Sequence, residues 1–213
     1  MDGKFQNKYR IPSARLKDWD YGSNAIYFVT ICTQHRQHYF GEISNGKMRL
    51  NEIGELAASE WLKTPGIRPD MNLELGEFVI MPNHFHALIT IGKNNYNTHT
   101  DAMHRVSTGC TLPLHRMHRI SNDFCTDAMH RVSTNAKFGS QSKNLASIIR
   151  GFKSSVTINA RKINSEFTWQ SRFHDHIVRD FDSFHRIEQY IQNNPCKWIE
   201  DLYLIYITTS NNR

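Results

Sequence analysis

The chain has 213 residues, of which 39% are hydrophobic, and its 26 Lys and Arg against 20 Asp and Glu give a formal charge of +6. That length and apolar content suffice for one domain with a real core. No apolar run approaches the roughly 18 residues of a membrane span, and the polar, basic stretch from Met1 to Pro12 lacks the apolar centre of a secretory leader, so the cytosol is the expected compartment.

In chain order, a basic, Pro-containing segment from Lys4 to Lys17 precedes AIYFVTICT (25–33), whose β-branched and aromatic content predicts a buried strand. KMRL (47–50), after the turn SNG, predicts a short second strand. NEIGELAASEWLK (51–63) predicts an amphipathic helix capped by Asn51, with Ile53, Leu56, Ala57 and Trp61 at helical spacing. LELGEFVIM and HFHALITI follow as two strands, with Pro82 and Asn83 at the bend between them.

From 94 to 142 the character changes to a polar stretch rich in Asn, Thr, Ser and His. TDAMHRVST occurs at 100–108 and again, letter for letter, at 126–134. Two copies are too few for a solenoid. Repeated DNA within the gene explains the duplication more simply, and a tolerated surface insertion of low order is expected. Regular structure resumes with a long helix over 144–163, apolar at Leu145, Ile148, Ile149, Phe152 and Val156 and basic at Arg150, Lys153, Arg161 and Lys162. FTWQSRFHDHIVR (167–179) predicts an extended segment. DSFHRIEQYIQNN (182–194) predicts a helix capped by Asp182 or Ser183 and stopped by Pro195, and a polar tail follows Tyr206. The order β, β, α, β, β, insertion, α, β, α indicates an α+β domain, an antiparallel sheet with helices on one face. The four cysteines, Cys32, Cys110, Cys125 and Cys196, form no CxxC pair and fit reduced thiols.

The chemistry concentrates in MPNHFHAL (81–88). On a strand, residues two apart face the same way, so His84 and His86 project together while Phe85 faces the opposite side. Two neutral imidazoles side by side can clamp a divalent metal, although a bare HxH is more often a pair of histidines hydrogen-bonded inside a fold. On the last helix Tyr190 and Asn194 lie one turn apart on one face. A phenol is a weak nucleophile alone, but a metal that polarises a phosphodiester makes its attack feasible. Asn194 can offer a carbonyl oxygen as a third ligand, provided the helix reaches its last turn there, because a following proline disfavours the α conformation. Tyr190 equally suits the role of a core aromatic.

VIMPNHFHALI, WQSRFHDHIVRD and YIQNNPCKW, in this order and with YFVTICT upstream, resemble the REP-associated tyrosine transposases, within the single-tyrosine HUH transposase family of the insertion-sequence-200 type. The resemblance spans nearly the whole chain apart from 94–142. It implies a ferredoxin-like sheet with the histidine pair on a central strand, His84, His86 and Asn194 as metal ligands, Tyr190 as the nucleophile, and Mg2+ or Mn2+ as the cofactor. The implied partner is single-stranded or hairpin DNA, in a protein that is a monomer or a homodimer. The implied reaction nicks the strand beside a hairpin through a 5′-phosphotyrosine link and rejoins it by the reverse attack; no P-loop for nucleotide hydrolysis is present.

Expected DNA contacts are Arg150, Lys153 and Arg161 on the long helix, and Arg172, His174, His176 and Arg179 around a second HxH, which competes for the metal and is ranked lower because Arg172 and Arg179 give it the look of a phosphate-facing edge. Trp169 and Trp198 can stack on bases but are more ordinarily core residues. Two rival readings remain: an idle hairpin-binding descendant of such an enzyme, and a zinc module built from Cys110, His115, His118 and Cys125, whose spacing departs from zinc-finger patterns.

Overall fold

The computed structural model describes residues 15–16, 19–98 and 142–210, with residues 199–210 described as backbone only. The duplicated nonapeptide, the candidate zinc module and the start of the Lys4 to Lys17 segment lie outside the described residues. Among the described residues six strands and three α-helices follow one another: β1 (Ala25–Cys32), β2 (Gly41–Ser44), β3 (Lys47–Leu50), α1 (Glu52–Ile67), β4 (Leu73–Met81), β5 (His84–Ile91), α2 (Leu145–Ile163), β6 (His174–Val178) and α3 (Phe181–Ser210).

Four strands form one antiparallel sheet in the order β4-β5-β1-β6, each pairing antiparallel with its neighbour. β1 passes through α1 to β4 and β5 passes through α2 to β6, which is the ferredoxin-like arrangement expected. Alternation along the strands builds two cores. Tyr27, Val29 and Ile31 of β1 and Phe85, Ala87 and Ile89 of β5 are fully buried against Ile53, Ala57 and Trp61 of α1 and Leu145, Ile148, Phe152 and Val156 of α2. The opposite side chains, Phe28, Leu88 and Val178, meet Phe184 and Ile191 of α3 in a second, smaller cluster. Two helices thus share one face, and the third lies against the other, mainly over β4.

Local chemistry accounts for the boundaries. Asn51 caps α1 as expected, its Oδ1 accepting from Gly54 N at 3.0 Å, and α1 runs on to Ile67 with Pro65 in its last turn. Asn144 and Ser147 form a capping box on α2. The partner of KMRL is GEIS, a strand absent from the sequence reading; Asn45 and Gly46 turn between them with φ of 52° and 70°, the left-handed pair that a tight hairpin requires. Of the extended segment 167–179 only His174–Val178 is strand, while Trp169 continues the pairing as a bridge to Thr33.

Two expectations for α3 are corrected. Its cap is Asp180, whose Oδ1 accepts from Ser183 N at 2.7 Å, rather than Asp182 or Ser183, because the helix begins one residue earlier at Phe181. It also does not stop at Pro195 but continues to Ser210, past the expected start of a tail at Tyr206. A proline inside a helix costs about 3 kcal/mol. Tertiary contacts oppose that cost: Trp198 is buried against His84 and His38, and Cys196 packs on Gly46 of the β2–β3 turn. Trp169 is likewise a core residue, among Phe40, Phe152 and Phe167.

Candidate active site on the α3 face of the sheet

β5 is central in the sheet, and its parity sends Phe85 into the α1–α2 core and His84 and His86 to the α3 face. Both imidazoles are buried, with ring centroids 4.5 Å apart. Each is oriented through Nδ1. His84 Nδ1 donates to Asn83 Oδ1 at 2.8 Å, and His86 Nδ1 lies 2.8 Å from Thr30 Oγ1 on the adjacent strand. Phe28 stacks on His86 at 5.3 Å. With its Nδ1 donating to an amide oxygen, His84 is left to present a lone pair at Nε2, and His86 presents one in the tautomer whose Nδ1 donates to Thr30, the arrangement seen where imidazoles bind metals.

α3 brings Tyr190 and Asn194 to the same place. Because the helix carries through Pro195, the two residues keep their one-turn separation. Tyr190 is 43% exposed, yet its hydroxyl lies 3.3 Å from His86 Nε2, within hydrogen-bond reach. Asn194 is buried to 1% exposure, and among the described residues neither its Oδ1 nor its Nδ2 is hydrogen-bonded. Its proximity to His84 slightly favours that ring's protonated form, without a bond of ordinary geometry. A buried amide without partners is costly, so the site contains polar capacity that the protein itself does not use.

Electrostatics keep the pair neutral. Burial, followed by the charge of Arg36, depresses His84 to about 4. Burial, followed by His84, Arg36 and His174, depresses His86 to about 2. Among the described residues no cluster of three or more His, Cys, Asp or Glu is placed to hold a metal, so a cation here would depend on the two imidazoles and an amide oxygen.

The other expected residues divide by face. In register across the sheet lie Val79, His86, Thr30 and His174, so the second histidine pair on edge strand β6 shares the α3 face but stands two strands away from the first. His174, His176, Arg172 and Arg179 are exposed. Beside them a cleft of about 630 Å3 is lined by residues including Arg15, Tyr21, His176, Arg179 and Arg186. Arg150, Lys153 and Arg161 belong to α2, on the opposite face. Lys153 Nζ donates to Gln170 O at 2.6 Å and Arg161 Nε to Phe167 O at 3.0 Å, so both tie down the α2–β6 connection. The sequence reading passed over Arg36 and Arg186. No local pattern singles them out, since each owes its place to contacts between distant segments.

Comparison with known proteins gives one relative by sequence: an uncharacterised protein of Haemophilus influenzae, 36% identical over 192 residues, covering 89% of this chain and 90% of that one. No protein-family model matches the chain. Among solved structures it resembles a REP-associated tyrosine transposase bound to a REP hairpin, with a TM-score of 0.48 and 16% identity over 90% of this chain and 74% of that one. It also resembles a candidate transposase of Deinococcus radiodurans, with a TM-score of 0.35 and 13% identity over 84% of this chain and 95% of that one. Among the described residues no helix is long and apolar enough to cross a membrane.

Proposed function

We propose that this chain, which belongs to one family with the Haemophilus influenzae protein, is a transposase-like, metal-dependent DNA transesterase that nicks and rejoins single-stranded DNA beside a hairpin. The observation that carries the proposal is the Tyr190 hydroxyl at 3.3 Å from His86 Nε2, over a buried histidine pair whose Nδ1 atoms are both engaged.

Mg2+ or Mn2+ fits the residues present: His84 and His86 would hold it through Nε2, the ion taking the place of the Tyr190 hydroxyl on His86, and Asn194 through an Oδ1 that has no partner among the described residues. When bound, such an ion would polarise the phosphodiester and stabilise the departing 3′ oxygen. The remaining work falls to the chain. Asn83 and Thr30 hold the imidazoles in one tautomer and orientation. The exposed edge of Tyr190 lets a strand approach while its hydroxyl stays over the pair. The Tyr190 Oη–P bond forms as the P–O3′ bond breaks; the phenol of half-exposed Tyr190 passes its proton to solvent water, and the departing 3′ oxygen takes one from water. Bond energy is retained in the phosphotyrosine, so the reverse attack by a 3′ hydroxyl rejoins the strand without nucleotide hydrolysis. Tyrosine and histidines of one chain suffice, and the chemistry requires no second copy.

Arg172, His174, His176 and Arg179 share the α3 face and suit the path of the strand. Arg150, Lys153 and Arg161 face away, and the last two are occupied by carbonyls. The test is a hairpin oligonucleotide with a flanking single strand, incubated in Mg2+ or Mn2+. A covalent protein–DNA adduct is expected that is lost in Tyr190→Phe and in His84→Ala. An adduct that persists in Tyr190→Phe assigns the nucleophile elsewhere, and binding without any adduct leaves an idle hairpin-binding protein.

A further inference from the structure

Between β1 and β2 the chain makes a short turn, Gln34–Arg36, in the polar stretch TQHRQHY. Its placement is fixed by Thr33. Thr33 N and Oγ1 both donate to Asn83 O, at 3.0 and 2.9 Å, and Oγ1 also reaches Gln37 O at 2.8 Å. Asn83 is the residue whose side chain orients His84, and Cys32, one residue before Thr33, is paired with His84 across the sheet. One threonine therefore ties the turn to the bend from which the histidine pair emerges.

The turn is strained. His35 and Arg36 take φ of 53° and 56°, two successive non-glycine residues in the left-handed region, which side chains disfavour. Arg36 is exposed, and its guanidinium makes no hydrogen bond or ion pair among the described residues. Two residues on, His38 packs at 5.7 Å on the same Trp198 whose ring lies 5.9 Å from His84, so the turn borders the histidine pair. A guanidinium without an anionic partner, held on strained backbone next to a site suited to a second cation, lacks only a negative ligand.

We infer, on the premise of the transesterase chemistry proposed above, that Arg36 holds the phosphate of single-stranded DNA that Tyr190 attacks, its guanidinium gripping the non-bridging oxygens. The geometry of a guanidinium suits two such oxygens at once, which an ammonium cannot reproduce. As the Oη–P bond forms and the P–O3′ bond breaks, charge on those oxygens rises, and a donor already in place stabilises it without reorganisation. α3 then supplies the nucleophile from one side of the phosphate and the 33–37 turn supplies the cation from the other.

Two measurements test this separately from the chemistry. In a Tyr190→Phe background, affinity for the hairpin oligonucleotide with its flanking single strand is measured by anisotropy over a range of salt. Adding Arg36→Gln should lower the slope of log K against log salt by about 0.7, the contribution of one single-strand phosphate, and Arg36→Lys should restore it. With Tyr190 present, Arg36→Gln should slow adduct formation by about 10²- to 10³-fold, and Arg36→Lys should recover only part of that rate. An unchanged slope together with an unchanged rate overturns the role of Arg36 and leaves the transesterase reading standing. A wild-type chain that binds the oligonucleotide yet forms no adduct removes the transesterase reading and with it the attacked phosphate; the slope then shows whether Arg36 grips a phosphate at all.

Discussion

His84-Phe85-His86 and His174-Asp175-His176 have the same spacing and, through the sheet register, present their histidines on the same face. They differ in what the sheet does to them. The first lies on central β5, with neighbours on both sides and α3 above, so its imidazoles are dry, neutral and fixed through Nδ1. The second lies on edge strand β6, where α3 does not cover it and both histidines are exposed. The middle residues differ in chemistry rather than burial: Phe85 is fully buried among Trp61, Phe78 and Phe152, whereas the Asp175 side chain, 4% exposed, pairs with half-exposed Arg15 at 3.7 Å. A two-residue spacing specifies a shared direction. The strand's position in the sheet specifies whether that direction leads to a desolvated site or to solvent.

The sharpest way to break the comparison is to remove each pair. His84→Ala and His86→Ala are each expected to reduce adduct formation by about 10³-fold or more, because the electrophilic assistance worth several kcal/mol is lost. His174→Ala and His176→Ala should slow the reaction by less than about tenfold, through weaker strand binding alone. Quantitative gel assay of the covalent adduct distinguishes the two; equal losses from both pairs would erase the distinction between centre and edge. Next in size is stability. Phe85→Ala should lower unfolding free energy by about 3–5 kcal/mol, and Asp175→Asn by less, about 1–3 kcal/mol, because a buried carboxylate loses its ion pair with half-exposed Arg15, as read from urea denaturation.

A third expectation concerns pH. In the folded chain His84 titrates near 4 and His86 near 2, against an ordinary histidine at 6.5. Above pH 6.5 both rings are neutral folded or unfolded, and they contribute no pH dependence. Below it the unfolded chain takes up protons that the folded chain refuses, so stability falls as pH drops, by about 2 kcal/mol per histidine at pH 5. Urea midpoints measured in chelator between pH 7 and pH 5 should show this slope, and His84→Asn/His86→Asn should flatten it. A slope unaltered in the double variant would mean that the pair is not dry.

Much of this site was legible before any coordinates, because it depends on short-range pattern. Strand parity separates Phe85 from its flanking histidines, the one-turn spacing pairs Tyr190 with Asn194, and Asn51 announces the start of α1. The rest depends on tertiary contacts to which a local reading is blind. Pro195 is a reliable helix stop in isolation, yet Trp198 packing against His84 carries the helix past it. Lys153 and Arg161 read as a basic face, but carbonyls of the α2–β6 connection take them up. Arg36 is an unremarkable residue of a polar turn until Thr33 ties that turn to Asn83.

Thr30 offers the finest cut between the two histidine pairs, since it stands in register between His86 on one side and His174 on the other. Its hydroxyl bonds only toward the centre of the sheet, to His86 Nδ1 at 2.8 Å. Thr30→Val keeps the β-branched shape that suits a strand and removes that one bond. The imidazole then loses the partner that selects its tautomer and ring orientation, and a loss of this kind weakens metal binding by about 10- to 100-fold. The expected result, read by titrating Mn2+ against adduct yield and against its paramagnetic broadening of histidine signals, is a higher metal requirement with the maximal yield largely kept. Signals of His174 and His176 should be unaffected by the substitution, because no bond to them is removed. If Mn2+ affinity does not change, orientation of His86 comes from the stacked Phe28 ring rather than from Thr30, and Phe28→Leu becomes the variant in which the weakening appears.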